Sequence, residues 1–232
     1  MYAREIEGET YSFGVSGKLI RNVLVMYDRQ TESYWSQLLG EAVSGPLTGT
    51  KLEFLPSWMM SWEQWQELHP NTLALDKGGR RGARDSYDGY YASDRAGVIG
   101  KTNDDERLYT KEFVIGVELE NEAIAYPFSV LNEESTINDV VDGHALLVVF
   151  DADEGTGLVY DRNVDGQLLT FSRGSTEMSM VDEETGTVWD VISGEAKEGP
   201  LVGKQLERIK STIVFWFGWV DFHPHTLIYG LD

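Results

Sequence analysis

The chain has 232 residues, 41% of them hydrophobic, and a formal charge of -20 from 39 acidic and 19 basic side chains. It contains no cysteine, which excludes disulfides and thiolate metal sites. So acidic a surface repels phosphate backbones and anionic lipid, so nucleic acid is not an expected partner, and no apolar run reaches the ~18 residues of a membrane span, so this chain is not expected to insert into a membrane.

The charge is uneven. Residues 1–112 hold 17 acids and 13 bases, whereas 113–232 hold 22 acids and 6 bases. A solubilising surface and adaptation to high salt both account for this, and 11 arginines against 8 lysines lean toward the second. The first 25 residues lack the apolar centre of a signal peptide.

In chain order, loose alternation over Tyr2–Phe13 predicts a hairpin turning at Glu7-Gly8. Ser16-Gly17-Lys18 reads as a polar loop and Leu24–Tyr27 as a short strand. The motif Asp28-x-x-Thr31-x-x-x-Trp35 follows, then Gly40-Glu-Ala and Gly45-Pro-Leu, whose glycines suggest strands joined by tight turns, with Pro46 at a strand entry or edge. Ser61, with Gln64 three residues on, forms a capping box ahead of Trp62, Trp65 and Leu68, so a short helix stopped by His69-Pro70 is expected. Lys77–Glu112 is dense in glycine, tyrosine and charge and reads as a surface-packed linker. Strands are expected over 113–119, 122–126, 136–141 and 145–150, with a short helix after Pro127 and a turn at Asp142-Gly143.

The rest of the chain repeats its beginning. Tyr160–Phe171 is a second hairpin around Asp165-Gly166. Asp182-x-x-Thr185-x-x-x-Trp189, Gly194-Glu-Ala, Gly199-Pro-Leu and Trp216-x-x-Trp219-x-x-x-His223-Pro224 then recur at an offset of 154. From Asp28/Asp182 to Leu75/Tyr229, 19 of 48 positions are identical, where unrelated segments would share roughly 3. In the second copy Val214-Phe-Trp-Phe-Gly-Trp-Val favours a strand by propensity, but homology to the first copy predicts a short helix, buried on nearly all sides.

The fold class read from this pattern is α+β and predominantly β. It has an incomplete first repeat over 1–76, a linker over 77–112 and a complete second repeat over 113–232, the repeats being in contact. Met1 aligns with Val159, so the first copy has no counterpart of 113–158. Either the chain is a fragment with a late start, the simpler expectation, or those strands come from another chain. An open sheet edge near Tyr2–Phe13, with a tendency to self-associate, follows in both cases.

Phe13-Gly-Val-Ser-Gly-Lys, Leu24-Val-Met-Tyr-Asp-Arg-Gln-Thr-Glu-Ser, Gly40-Glu-Ala and Gly45-Pro-Leu-x-Gly resemble the bacterial and archaeal family known as domain of unknown function 3179, and the second copy matches through Ala125-Tyr-Pro, Asn138-Asp, Leu169-Thr-Phe and Asp182–Trp189. The resemblance covers nearly the whole chain. It implies a family identity without an activity, and an extracytoplasmic place for the full-length protein. Many relatives carry Cys-Pro-x-Cys-Gly where this chain has Asp151–Gly157, so a thiol or metal role there is absent.

Candidate ligand-binding residues are Asp28, Thr31, Trp35, Asp182, Thr185, Trp189, His69 and His223. Carboxylate, hydroxyl and indole together suit sugar recognition. The same residues suit a turn closed by Asp and Thr with Trp anchored in the core, and retention in both copies favours that scaffold role. Core packing is the expectation for the matched tryptophans. The histidines are expected to end helices, where positive charge is favoured. Asp151, Asp153 and Glu154, like Asp85, Asp88 and Asp94, read as solvated acidic turns. No catalytic set, metal site or cofactor is expected. The leading functional expectation is a non-catalytic binding or structural module with an unknown ligand in a groove between the repeats. A carboxylate-dependent hydrolase or carbohydrate-active enzyme, using acids near the tryptophans, is the alternative.

Overall fold

Short alternating strands punctuated by glycine turns build a β-rich α+β fold, and a computed structural model describes it over residues 1–76, 88–176 and 178–231. Both predicted hairpins form, Glu5–Ile6 with Glu9–Thr10 and Asn163–Val164 with Gln167–Leu168. Their turn pairs have left-handed backbone at both positions, φ 51° and 83° at Glu7-Gly8 and φ 53° and 84° at Asp165-Gly166, as a two-residue turn that follows the strand twist requires.

Each hairpin leads into a four-stranded antiparallel meander. The N-terminal one runs Phe13–Ile20, Val23–Asp28, Tyr34–Ser36, Glu41–Ser44, and the C-terminal one Phe171–Arg173, Ser179–Asp182, Val188–Asp190, Ala196–Glu198. Phe13 faces Asp28, Met26 faces Trp35 and Trp35 faces Ala42. Phe171, Asp182, Met180, Trp189 and Ala196 repeat these pairings, and each meander has an irregularity just before its tryptophan. The core beneath the first meander comprises Ile6, Tyr11, Trp35, Ala42 and Leu52, and that beneath the second includes their counterparts Val164, Leu169, Trp189, Ala196 and Leu206. The second core also takes Leu147, Val149 and Leu158 from the antiparallel sheet of Thr136–Val141, His144–Asp151 and Thr156–Asp161.

The last sheet orders Ser211–Phe215, Phe113–Glu118, Ala123–Pro127 and Leu227–Ile228, the final pair parallel. Between its two outer strands lies the helix Trp216–Phe222, so homology outweighs the strand propensity of this stretch. All but the last residue of this helix are buried. Its counterpart, Trp62–Leu68, is capped by the Ser61 side chain, which accepts from the Gln64 amide at 3.1 Å. No helix among the described residues is long and apolar enough to cross a membrane.

Three local expectations change. Ser16-Gly17-Lys18 is not a loop. The strand Phe13–Ile20 runs through it with a bulge between Val15 and Lys18, Gly17 taking φ 74°, and the extra residues lengthen the hairpin to a turn at Arg21-Asn22. Pro46 and Pro200 follow a strand instead of entering one. The glycine before each has φ 106°, and a Cβ on Gly45 would lie 2.7 Å from the Ser33 Cα, so the chain turns there at a place only glycine fits. Trp62 is 50% exposed although its counterpart Trp216 is fully buried, because the strands that cover Trp216 have no equivalent around Trp62 among the described residues.

Of the expected linker, 77–87, with Asp85, lies outside the described residues. After a short helix at Asp88–Tyr91, the rings of Tyr90 and Tyr91 pack on Phe215, and Lys111 is buried with its ammonium on the carbonyls of Tyr90 and Ser93. Other bonds tie the N- and C-terminal halves directly. Trp58 donates to the Ile192 carbonyl at 3.2 Å, and Gln64 bonds Asp151 and Thr156, each at 3.0 Å. Arg208 lies over the rings of Trp58 and Tyr160 and donates to the Ser57 carbonyl.

Candidate functional site

The repeated Asp-Thr-Trp motif closes on itself. Asp28 Oδ1 accepts from the Thr31 amide at 2.6 Å, Thr31 Oγ1 lies within 3.0 Å of both carboxylate oxygens, and the Trp35 indole donates to Oδ2 at 2.9 Å. Asp182, Thr185 and Trp189 repeat this at 2.7, 2.8 and 2.9, and 2.8 Å. Asp28, Trp35, Asp182 and Trp189 all have no exposed surface. Burial alone would raise the Asp28 carboxyl, but the bonds from Trp35 and Thr31 outweigh it and hold the group below its ordinary value. A general acid or base has to exchange a proton with a substrate, and a ligand-binding carboxylate has to offer it an oxygen. These carboxylates give their oxygens to their own turn.

His69 and His223 end their helices as expected, each ring 4.1 Å from the tryptophan one turn back. Each of these tryptophans, Trp65 and Trp219, donates its indole N–H to a threonine, Thr72 or Thr226, at 2.9 Å. The favoured positive charge is not what His223 provides. Burial lowers its pKa; Glu118 opposes the shift and Lys210 and Arg21 add to it. A lowered folded-state pKa means that the unfolded chain binds the proton more readily. The neutral ring's contribution is therefore full above about pH 6.5 and is lost as pH falls below that toward the folded-state value. In thermal melts from pH 5 to 8, His223→Gln is expected to flatten the acid side of the stability profile.

The acidic turn at Asp151 caps itself, its Oδ1 accepting from the amides of Asp153 and Glu154 at 3.1 and 3.2 Å. Among the described residues, no three His, Asp or Glu side chains converge to hold a metal ion.

Open hollows of about 470 and 410 Å³ are lined by His69 and by His223, and a larger, more apolar space lies elsewhere. A groove of about 640 Å³ opens where three parts of the chain meet: Leu19, Arg21, Asn22 and Val23 from the long N-terminal hairpin; Tyr90, Arg95, Gly97 and Val98 from the connecting stretch; and Val214, Phe215, Phe217 and Gly218 from the strand-to-helix junction. Its lining is mainly apolar. Arg21 donates to the Asp221 carbonyl and Arg95 to that of Val98, and neither is ion-paired to a carboxylate among the described residues. None of the eight candidate residues read from the sequence lines it. Sequence reasoning expected a groove between the repeats but not these residues, because they are far apart in the chain, although the extra residues around Ser16-Gly17-Lys18 were a signal that this region departs from the repeat.

A family model matches residues 1–226, and so spans both meanders, the connecting stretch and the groove. The chain belongs to the family described as protein of unknown function, DUF3179. No curated protein and no solved structure matches it. The DUF3179 match covers both Asp-Thr-Trp clusters and both tryptophan helices.

Proposed function

We propose that this DUF3179 protein is a non-catalytic binding module whose ligand, an amphipathic anion, occupies the groove between residues 19–23, 90–98 and 214–218. The supporting observation is the groove's composition. In a chain with 39 acids and 19 bases, two arginines without carboxylate partners among the described residues stand at an apolar cleft. An apolar body gains by leaving water for such a surface, and an anionic head gains a charge-assisted bond from a guanidinium. In this reading the Asp-Thr-Trp clusters are scaffold. The division into 1–76, 77–112 and 113–232 then has a functional sense, since the groove forms where the three meet. An extracytoplasmic place rests on the family resemblance alone.

An anilinonaphthalene sulfonate, fluorescent in apolar surroundings and anionic, is a direct probe. It is expected to bind at one saturable site, and Arg21→Gln with Arg95→Gln is expected to weaken it by about tenfold, as loss of charge-assisted bonds worth about 1.5 kcal/mol or more implies. Binding that is unaffected by the double variant would sink the reading.

A further inference from the structure

The helix Trp216–Phe222 keeps both tryptophans of its first-copy counterpart but differs from it where it meets the groove. Ser61, Glu63 and Gln64 stand at the positions of Phe215, Phe217 and Gly218. In the first copy two of these do structural work. Ser61 caps the helix, and the Gln64 side chain bonds Asp151 and Thr156 at 3.0 Å each. In the second copy Phe215 makes no side-chain cap bond, and glycine, a poor helix former, stands where the first copy has glutamine. Both exchanges cost stability locally, and both residues line the groove. Departures from local preference concentrate where function demands them.

What the exchanges supply is an aromatic wall beside a gap. Phe215 is flanked by the Phe217 ring, stacked at 5.9 Å between centroids, and by the Tyr90 ring, edge-on at 6.4 Å. All three line the groove. Tyr90 is held in place, its hydroxyl accepting from the Gly97 amide at 3.1 Å and the Lys111 ammonium lying 3.7 Å from its ring centre. Apart from its chain neighbours and its own helix backbone, a Cβ on Gly218 would meet only a Val214 methyl, at 3.2 Å, among the described residues, so the absent side chain leaves space there.

We infer that the groove's ligand carries a flat aromatic ring beside its anionic group, the ring seated against Phe215, Phe217 and Tyr90 over Gly218. This rests on the reading of the groove as an anion site and adds the chemical class of the apolar body. A ring gains from edge and face contacts with fixed aromatic neighbours, and it loses little conformational freedom on binding, whereas an alkyl chain freezes several torsions. At about 640 Å³ the groove lies in the range of small-ligand sites.

Calorimetric titration of the full chain with naphthoate and with decanoate tests this. The two share a carboxylate, and decanoate is the more apolar, so a cleft that merely excludes water would prefer it. Naphthoate is expected to bind at least about fivefold tighter. Phe215→Leu, which keeps an apolar side chain, is expected to erase that preference. Gly218→Ala is expected to weaken naphthoate at least about fivefold while melting no lower than the parent, since alanine favours the helix. A lower melting temperature with equal loss for both anions would make the glycine a packing residue and overturn the ring seat. Arg21→Gln with Arg95→Gln is expected to weaken both anions alike. Decanoate binding as tightly as naphthoate, with the arginines still needed, overturns the inference and leaves the anion reading of the groove intact. Binding that ignores the arginines, or no binding of either anion, overturns that reading and the inference with it.

Discussion

Asp182→Ala is expected to lower the unfolding free energy by about 3–5 kcal/mol, a large share of a domain's total stability. Asp182 is fully buried and accepts from the Thr185 amide, the Thr185 hydroxyl and the Trp189 indole. Removing it leaves the amide and the indole as donors in a place that water does not reach, at about 1–3 kcal/mol each, with a cavity where the carboxylate stood. Trp189→Phe keeps most of the ring and deprives the carboxylate of one donor, so a smaller loss of about 1–3 kcal/mol is expected. Urea unfolding followed by far-ultraviolet circular dichroism measures both. A loss of under about 1 kcal/mol for Asp182→Ala would contradict the scaffold role, because surface side chains without structural duties give values in that range. Asp28→Ala makes the same cut in a smaller core, of which five residues are buried, against twelve around Trp189. Amide exchange in the N-terminal meander should therefore rise well before the rest of the chain unfolds.

The second large effect is an asymmetry between equivalent tryptophans. Trp216→Ala should cost about 3–5 kcal/mol, as expected for truncating a large aromatic side chain in a packed core. Trp216 has no exposed surface, packs with Val114, Ala125 and Ile228, donates its indole to the Asp105 carbonyl at 3.4 Å and lies under the Arg107 guanidinium. Trp62→Ala, at the matched position, should cost less than about 1 kcal/mol, since the side chain is half exposed. Thermal unfolding of the two variants side by side decides the matter. Equal losses would mean that Trp62 is covered in solution and that its exposure does not describe the free chain.

Much of the local structure was legible from residue types alone. Two-residue turns at Glu7-Gly8, Asp142-Gly143 and Asp165-Gly166 need left-handed backbone, and Glu-Gly and Asp-Gly pairs supply it at little cost, so the strands on either side could be placed. The helix at Trp62–Leu68 was legible through Ser61 and Gln64, because a cap is a contact between near neighbours in sequence. The helix at Trp216–Phe222 has no such cap, and its β-favouring residues pointed the other way. Only the repeat identified it, by tying it to a copy whose local signal was clear.

The sequence by itself determined the family, the predominance of β-structure and the matched strings, because each is carried by identity or spacing along the chain. Its local chemistry also included the Asp-Thr turn, since a side chain that bonds an amide three residues on needs no distant partner. The tertiary structure alone decided which equal residues have equal surroundings. Asp28 and Asp182 do, because each is satisfied within its own turn. Trp62 and Trp216 do not, because burial depends on strands more than ninety residues away. The groove beside Arg21 and Arg95 and the exposure of Leu73 and Leu75 arise for the same reason: both are properties of packed elements, and no run of neighbouring residues records them.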